Sequence, residues 1–136
     1  MRHNRSMPRA TIIPQLAYPD VTAAADWLCT TFGFTVRLRI ANHRAQLNVG
    51  DGAIVVMEQR PGQRPFAHSL MIRVEDANAH HARSVQAGLR ILSPPTDYPY
   101  GERQYTVEDF AGHSWTFSQS IADVDPLDWG GEPGEL

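Results

Sequence analysis

The chain has 136 residues, a formal charge of −3 and one cysteine, Cys29. That length suits one ordinary domain, or two small modules sharing a core. The acidic balance, with no long Lys/Arg run, argues against nucleic acid as a bulk partner, and a lone cysteine excludes an intrachain disulfide framework or a cysteine zinc cluster. Cys29 lies in a helical stretch and reads as a small buried hydrophobe. No apolar run approaches the ~18 residues of a membrane helix. The opening MRHNRSMPRA is charged but no apolar block follows it, so it does not read as a secretory signal. The expectation is a soluble cytoplasmic protein with no membrane partner.

Residues 1–9 are polar and irregular and read as a frayed tail. Thr11–Tyr18 reads as a first strand, with Pro14 suggesting an edge or a bulge near its start. Asp20 is the N-cap candidate for a helix over Val21–Phe32, and Gly33 supplies its left-handed stop. Strands are predicted over Phe34–Ile40, Arg44–Val49 and Ala53–Glu58, the last two joined by a hairpin signal at Gly50-Asp51-Gly52. The stretch QRPGQRPFA, Gln59 to Ala67, carries two prolines and a glycine between periodic segments and marks a break placed at 61–67. The pattern then starts over. Ser69–Glu75 reads as a strand and Asp76 as an N-cap. Ala77–Ala87 reads as a helix, with Ala79, Ala82 and Val85 inward and Gly88 as its stop. A short strand over Leu89–Leu92 precedes a long Pro/Tyr-rich loop, Ser93–Glu102. Strands over Arg103–Val107 and Ser114–Ser118 flank the turn EDFAGH. Residues 121–136 are acidic and Gly/Pro-rich and read as a tail, with Trp129 as a candidate docking anchor.

Asp20 laid over Asp76 brings the preceding strands and the following glycines into step. Gly52 laid over Gly112 aligns AIVVME with HSWTFS. The chain thus divides into modules at 10–60 and 68–120, each β-α-β-β-β, an uncommon internal period that local propensity does not demand.

This pattern resembles the vicinal oxygen chelate superfamily, which includes glyoxalase I, the bleomycin-resistance proteins and the extradiol dioxygenases. The resemblance runs over about residues 10–120. It is carried most specifically by HSLMIRVEDANAHHARSVQAG and by VEDFAGHSWTF, which is similar to the family's E-D-P-x-G turn with Phe110 at the usual proline. It implies an α+β fold of two βαβββ modules whose curved mixed sheets surround a cleft, usually completed by a homodimer. In metal-dependent members four ligands line that cleft, one His, Gln or Glu from each of four strands. Carried over, these positions fall on Ile13, Val56, Ser69 and Thr116. None is a usual divalent-metal ligand. His68 and Glu58 lie one and two residues from these positions, and a one-residue slip turns a side chain to the other face of a sheet.

The implied cleft wall carries Gln15, Ala17, Ile54, Val56, Glu58, Met71, Ser114, Thr116 and Ser118, mostly apolar with a few hydrogen-bonding groups, which suits an organic ligand. Trp115 and Phe117 alternate with these and are assigned to the core. Glu58 is either a carboxylate base in an apolar wall or a strand-end carboxylate in water. Arg103 either binds an anionic ligand or holds its loop by pairing with Glu102 or Glu108. His80-His81 reads as a solvated helix face, since adjacent helical residues point about 100° apart, and His113 as a turn residue. The expected function is metal-independent binding or sequestering of a small organic molecule, with no cofactor and with Gln15, Val56, Glu58, Met71, Arg103 and Thr116 as binding residues. The alternative is a lyase, isomerase or dioxygenase of the same superfamily, with a shifted metal site or Glu58 as a metal-free base.

Overall fold

The computed structural model describes residues 4–61 and 69–134. His68 and most of the proposed break at 61–67 lie outside the described residues. The chain divides into two compact units, Met1–Arg64 and Pro65–Leu136.

In the first unit, Asp20 caps α1 (Val21–Phe32) by accepting from the Ala23 N–H at 3.0 Å, and Gly33 ends it at φ 79°. Four strands, β1 (Gln15–Tyr18), β2 (Thr35–Ile40), β3 (Arg44–Val49) and β4 (Gly52–Glu58), form a mixed sheet in the order β1-β4-β3-β2. β1 is shorter than the predicted Thr11–Tyr18 because Pro14 has no N–H to give the ladder; its carbonyl still accepts from the Val55 N–H at 2.9 Å. One face of the sheet carries Leu16, Val56 and Ala45 side by side, with Tyr18, Ile54 and Leu47 along the same rows. These are buried against the apolar stripe of α1, Val21, Ala24, Ala25, Leu28 and Phe32, each large side chain contributing roughly 1.5–3 kcal/mol. Cys29 is only half-buried on this helix, and burial pushes its thiol pKa up.

The second unit repeats the plan. β5 (Ser69–Arg73) leads to α2 (Ala77–Gln86), capped by Asp76 accepting from the Ala79 N–H at 3.0 Å. β6 (Arg90–Tyr98), β7 (Glu102–Glu108) and β8 (Ser114–Ser120) complete a sheet in the order β5-β8-β7-β6. The fold is therefore α+β, two βαβββ modules. β6 corrects the expectation of a short strand and a long loop: the chain stays extended through Pro94 and Pro95 to Tyr98. It can do so because β6 is an edge strand, where a missing N–H costs no ladder bond, and the register shifts around Ser93 absorb the prolines.

Among the described residues, the N-terminal segment corrects the expectation of a frayed tail, while Trp129 in the C-terminal segment packs against the second unit. The Arg37 guanidinium on β2 donates to the Arg5 and Met7 carbonyls, each at 2.9 Å, and Gln46 on β3 donates to the Ser6 carbonyl at 2.9 Å. Residues 5–7 are thus strapped onto the face of the first sheet that α1 leaves open. At the other end, the N–H groups of Ile121 and Ala122 donate to the Gly101 carbonyl, and a 3-10 turn over Pro126–Trp129 sets Trp129 against Tyr100. Among the described residues no helix is long and apolar enough to cross a membrane.

Candidate functional site

The open face of each sheet, opposite its helix, is where the repeat would place ligand-binding side chains. Register decides which residues stand there. The helix caps align the modules as expected, so Leu16 corresponds to Ile72, four residues before each cap. Leu16 pairs with Val56, and Ile72 pairs with Phe117. Val56 is therefore the counterpart of Phe117 and packs under α1; the counterpart of Thr116 is Val55. The sequence alignment slipped by one because the two glycines are not equivalent. Gly50-Asp51 forms a two-residue loop between Val49 and Gly52, whereas five residues, 109–113, separate Glu108 from Ser114. A one-residue slip exchanges the faces of a strand, so Ile54, Val56 and Glu58 leave the proposed wall, and Ala53, Val55 and Met57 take the row beside Gln15 and Ala17.

The proposed site residues fare unequally. Gln15 is exposed and shares the open face with Val55 and Gln46. Glu58 sits on the α1 side at the exposed end of β4, 3.4 Å from His43 Nδ1; the apolar surroundings that a carboxylate base requires are absent there. Met71 lies on the open face of the second sheet and is 62% exposed. Arg103 lies on the helix side of that sheet and grips Asp97 with two hydrogen bonds, at 2.7 and 3.1 Å. That pair holds the Asp97 carboxyl below its ordinary pKa, first by hydrogen bonding and then by charge. The structural role stands, with Asp97 rather than Glu102 or Glu108 as the partner. Ile13 precedes β1 and is half-buried.

Thr116 stands at the centre of the second open face. Its hydroxyl shares hydrogen bonds with Ser69 at 3.0 Å and with Thr106 at 2.9 Å. Beside this trio, Gln104 donates to Ser118 Oγ at 3.1 Å and approaches Met71 Sδ at 3.9 Å, and Ser118 donates to Glu102 at 2.7 Å. The face is a lattice of hydroxyls and one amide, with the Glu102 carboxylate at one end and a thioether at its edge. Neutral hydroxyls bind divalent ions poorly beside imidazole and carboxylate. Among the described residues no three His, Cys, Asp or Glu side chains are placed to share a metal ion. The first unit holds a surface cavity of about 200 Å³ beside its N-terminal strap, lined in part by Pro8, Arg9, Arg37, Asn48 and Asp51, below the ~300 Å³ at which drug-sized pockets begin.

Three features escaped the sequence. α2 buries Ala77, His80 and Ser84 and exposes Ala79, Ala82 and Val85, the reverse of the predicted face. His80 is 4% exposed, not solvated; its Nδ1 and the Ser84 hydroxyl both bond the buried Tyr105 hydroxyl, the latter at 2.9 Å, and its ring lies 3.9 Å from that of Phe117. A buried tyrosine needs a partner for its hydroxyl, and that need outweighs the apolar pattern of the helix. Burial, helped by the nearby Arg83 charge, lowers the His80 pKa to about 4, and burial pushes Tyr105 up to about 12. The β7–β8 turn is organised by Asp109, which accepts from Ala111 N–H, His113 N–H and Trp115 Nε1 at 2.9–3.0 Å. The third feature is the strap over the first open face. Trp115 and Phe117 are core, as expected.

The profile of the Glyoxalase/Bleomycin resistance protein/Dioxygenase superfamily matches residues 11–117. Among solved structures, TioX from Micromonospora sp. ML1 is 34% identical with a TM-score of 0.69, over 82% of this chain and 99% of that one. A glyoxalase/bleomycin resistance protein from Streptomyces sp. CB03234 is 24% identical with a TM-score of 0.64, over 79% and 97%. Lactoylglutathione lyase from Agrobacterium tumefaciens is 16% identical with a TM-score of 0.66, over 84% and 96%. The last two likenesses bear on the fold alone. A comparison with curated proteins finds no match.

Proposed function

The chain belongs to the Glyoxalase/Bleomycin resistance protein/Dioxygenase superfamily, and from that premise we propose that it binds and sequesters a small organic molecule without a catalytic metal. The observation that carries this reading is the chemistry of the second open face. Where metal-dependent members would place ligands, Ser69 and Thr116 bond each other. The corrected counterpart on β4 is Val55, which has no lone pair to offer. A partly apolar surface with fixed hydroxyls and amides suits orientation of an organic ligand. In this proposal Thr116, Ser118, Gln104 and Met71 contact the ligand, and the protein works as a homodimer.

The test has two arms. Protein exposed to Ni, Co, Zn, Mn and Fe(II) is analysed for bound metal, and metal-free protein is screened against an organic-compound library by thermal shift. The expected result is near-zero metal per protomer and at least one compound that raises the melting temperature; saturation at ~100 times Kd adds about 2.7 kcal/mol of stability. One metal per protomer, with no compound bound by the metal-free protein, refutes the proposal and favours a lyase, isomerase or dioxygenase. Light scattering tests the dimer.

A further inference from the structure

We propose that residues 4–7 form an autoinhibitory strap: closed, they cover a row of the first sheet's open face, and a ligand reaches that row only when the strap lifts. The inference rests on the binding reading above and adds a regulation to it. The repeat identifies the row. With Leu16 matched to Ile72 and Val55 to Thr116, the row of Gln15, Val55 and Gln46 is the counterpart of Met71, Thr116 and Thr106. In the second unit that row is accessible: Met71 is 62% exposed, and Thr106 and Thr116 are half-buried. In the first unit Val55 and Gln46 are both buried, each 6% exposed, and the strap is bonded directly to Gln46.

Three hydrogen bonds hold the strap, and all three end on backbone carbonyls. Arg37 Nη2 donates to the Arg5 and Met7 carbonyls, and Gln46 Nε2 donates to the Ser6 carbonyl between them. Arg37 Nη1 donates in turn to Gln46 Oε1 at 2.7 Å, which turns the amide N–H groups toward the strap. A fully extended segment would point successive carbonyls to opposite sides. Here a turn gathers them: the Ser6 N–H donates to Asn4 Oδ1 at 3.0 Å and the Met7 N–H to the Asn4 carbonyl at 3.2 Å.

This grip leaves the strap's side chains in solvent. Residues 4–7 are all exposed, and burial begins only at Pro8. A segment that served to seal the sheet would turn Met7, its large apolar side chain, inward; Met7 is 47% exposed. A segment held by polar contacts, with few buried apolar ones, belongs to the part of a fold that opens locally at low cost. Pro8 is the pivot, and it lines the cavity that also touches Arg37, Asn48 and Ala53. Lifting the strap frees the Arg37 and Gln46 donors beside the aliphatic row of Ala53, Val55 and Met57. That surface suits an apolar molecule carrying an acceptor group, and its acceptor competes with the strap carbonyls for the same N–H groups. The competition is the inhibition.

The probe is 8-anilinonaphthalene-1-sulfonate, an apolar ring system with an anionic acceptor, titrated by fluorescence into the full chain. In a parallel sample the methionines carry 13C-labelled methyl groups, so that Met7 reports the strap, Met57 the covered face and Met71 the second open face; Met7→Leu assigns the strap signal. Asn4→Ala removes the turn without touching the sheet. It should tighten probe binding by about two- to tenfold, the range for one hydrogen bond lost from the closed form. Coupling is reciprocal, so the probe must in turn open the wild-type strap: at saturation the Met7 methyl should move to its random-coil position and Met57 should shift with it. Equal binding by wild type and Asn4→Ala, saturation with Met7 and Met57 unmoved, or no binding by either protein overturns the strap. If Asn4→Ala fails to fold, the wild-type methyl shifts decide. If library compounds stabilise the protein while the probe leaves Met7 in place, the strap is inert and sequestration survives. If no compound stabilises it while the probe lifts Met7, sequestration fails and the strap stands.

Discussion

The buried His80 makes a quantitative prediction about acid stability. Its ordinary pKa is 6.5 and its folded value about 4, lowered first by burial and second by Arg83. Tyr105 on β7 and Phe117 on β8 face it, and Ser84 on its own helix bonds the same Tyr105 hydroxyl. The His80 Nδ1 atom shares a hydrogen bond with the Tyr105 hydroxyl, and protonation would place a charge among these buried groups. As pH falls, the unfolded chain takes up the proton first, because its pKa is the higher. Stability contributed by this group is thus complete above about pH 6.5, drains between 6.5 and 4, and is gone below. The interval corresponds to roughly 3 kcal/mol at full strength, of which about 2 kcal/mol falls within an assay that stops at pH 4.5, short of the folded value. The assay is urea denaturation at half-unit steps from pH 8 to 4.5 for wild type and His80→Phe. Phenylalanine retains the stack on Phe117 and cannot titrate, and Ser84 still partners Tyr105. The difference between the two curves isolates His80 from the carboxylates, which titrate in both. Wild type should lose ~2 kcal/mol more than the variant across the interval. Parallel curves would refute the buried, neutral imidazole.

Asp109→Ala should be among the most damaging single changes, costing about 3 kcal/mol or more by urea denaturation, because it strands two backbone N–H groups and the Trp115 indole N–H. Arg37→Ala should release the N-terminal strap, read as faster tryptic cleavage after Arg5 with the melting temperature moved by only a few degrees; unchanged cleavage would mean the strap does not depend on Arg37. Gly101→Ala should lift the C-terminal segment, since the new methyl meets the Ala122 carbonyl at a φ of 85°, and the Trp129 contribution to fluorescence should then shift to the red.

The parts of the fold that were legible in the sequence are those written in local chemistry. Asp20 and Asp76 cap because a short carboxylate reaches the N–H three residues on, and both do so at 3.0 Å. Gly33 and Gly88 stop helices because both take a positive φ. What was illegible depends on partners distant in sequence. α2 reads as an alanine-and-valine stripe until Tyr105, 25 residues from His80, is known to stand beneath it with a hydroxyl to satisfy. Pro94-Pro95 argues against a strand until β6 is known to be an edge. Arg37 is an ordinary strand arginine until the backbone of residues 5 and 7 is found under its guanidinium, about 30 positions away.

The register slip on β4 shows which inference about the site depends on alignment and which does not. Moving the glycine turn by one residue exchanged Val56 for Val55 on the open face and carried Glu58 to the α1 side. Had β4 contained one histidine, the slip would have decided between a metal ligand and a core residue. Instead β4 reads GAIVVME, and every position before Glu58 is apolar or glycine. β5 reads SLMIR and β8 reads SWTFSQS, which offer hydroxyls, an amide and a thioether in either register, with Arg73 the only charge. A hard or borderline divalent ion needs imidazole or carboxylate from several strands at once. The proposal of metal-independent binding therefore rests on what these strands are made of, and a one-residue error in how they are laid side by side leaves it standing.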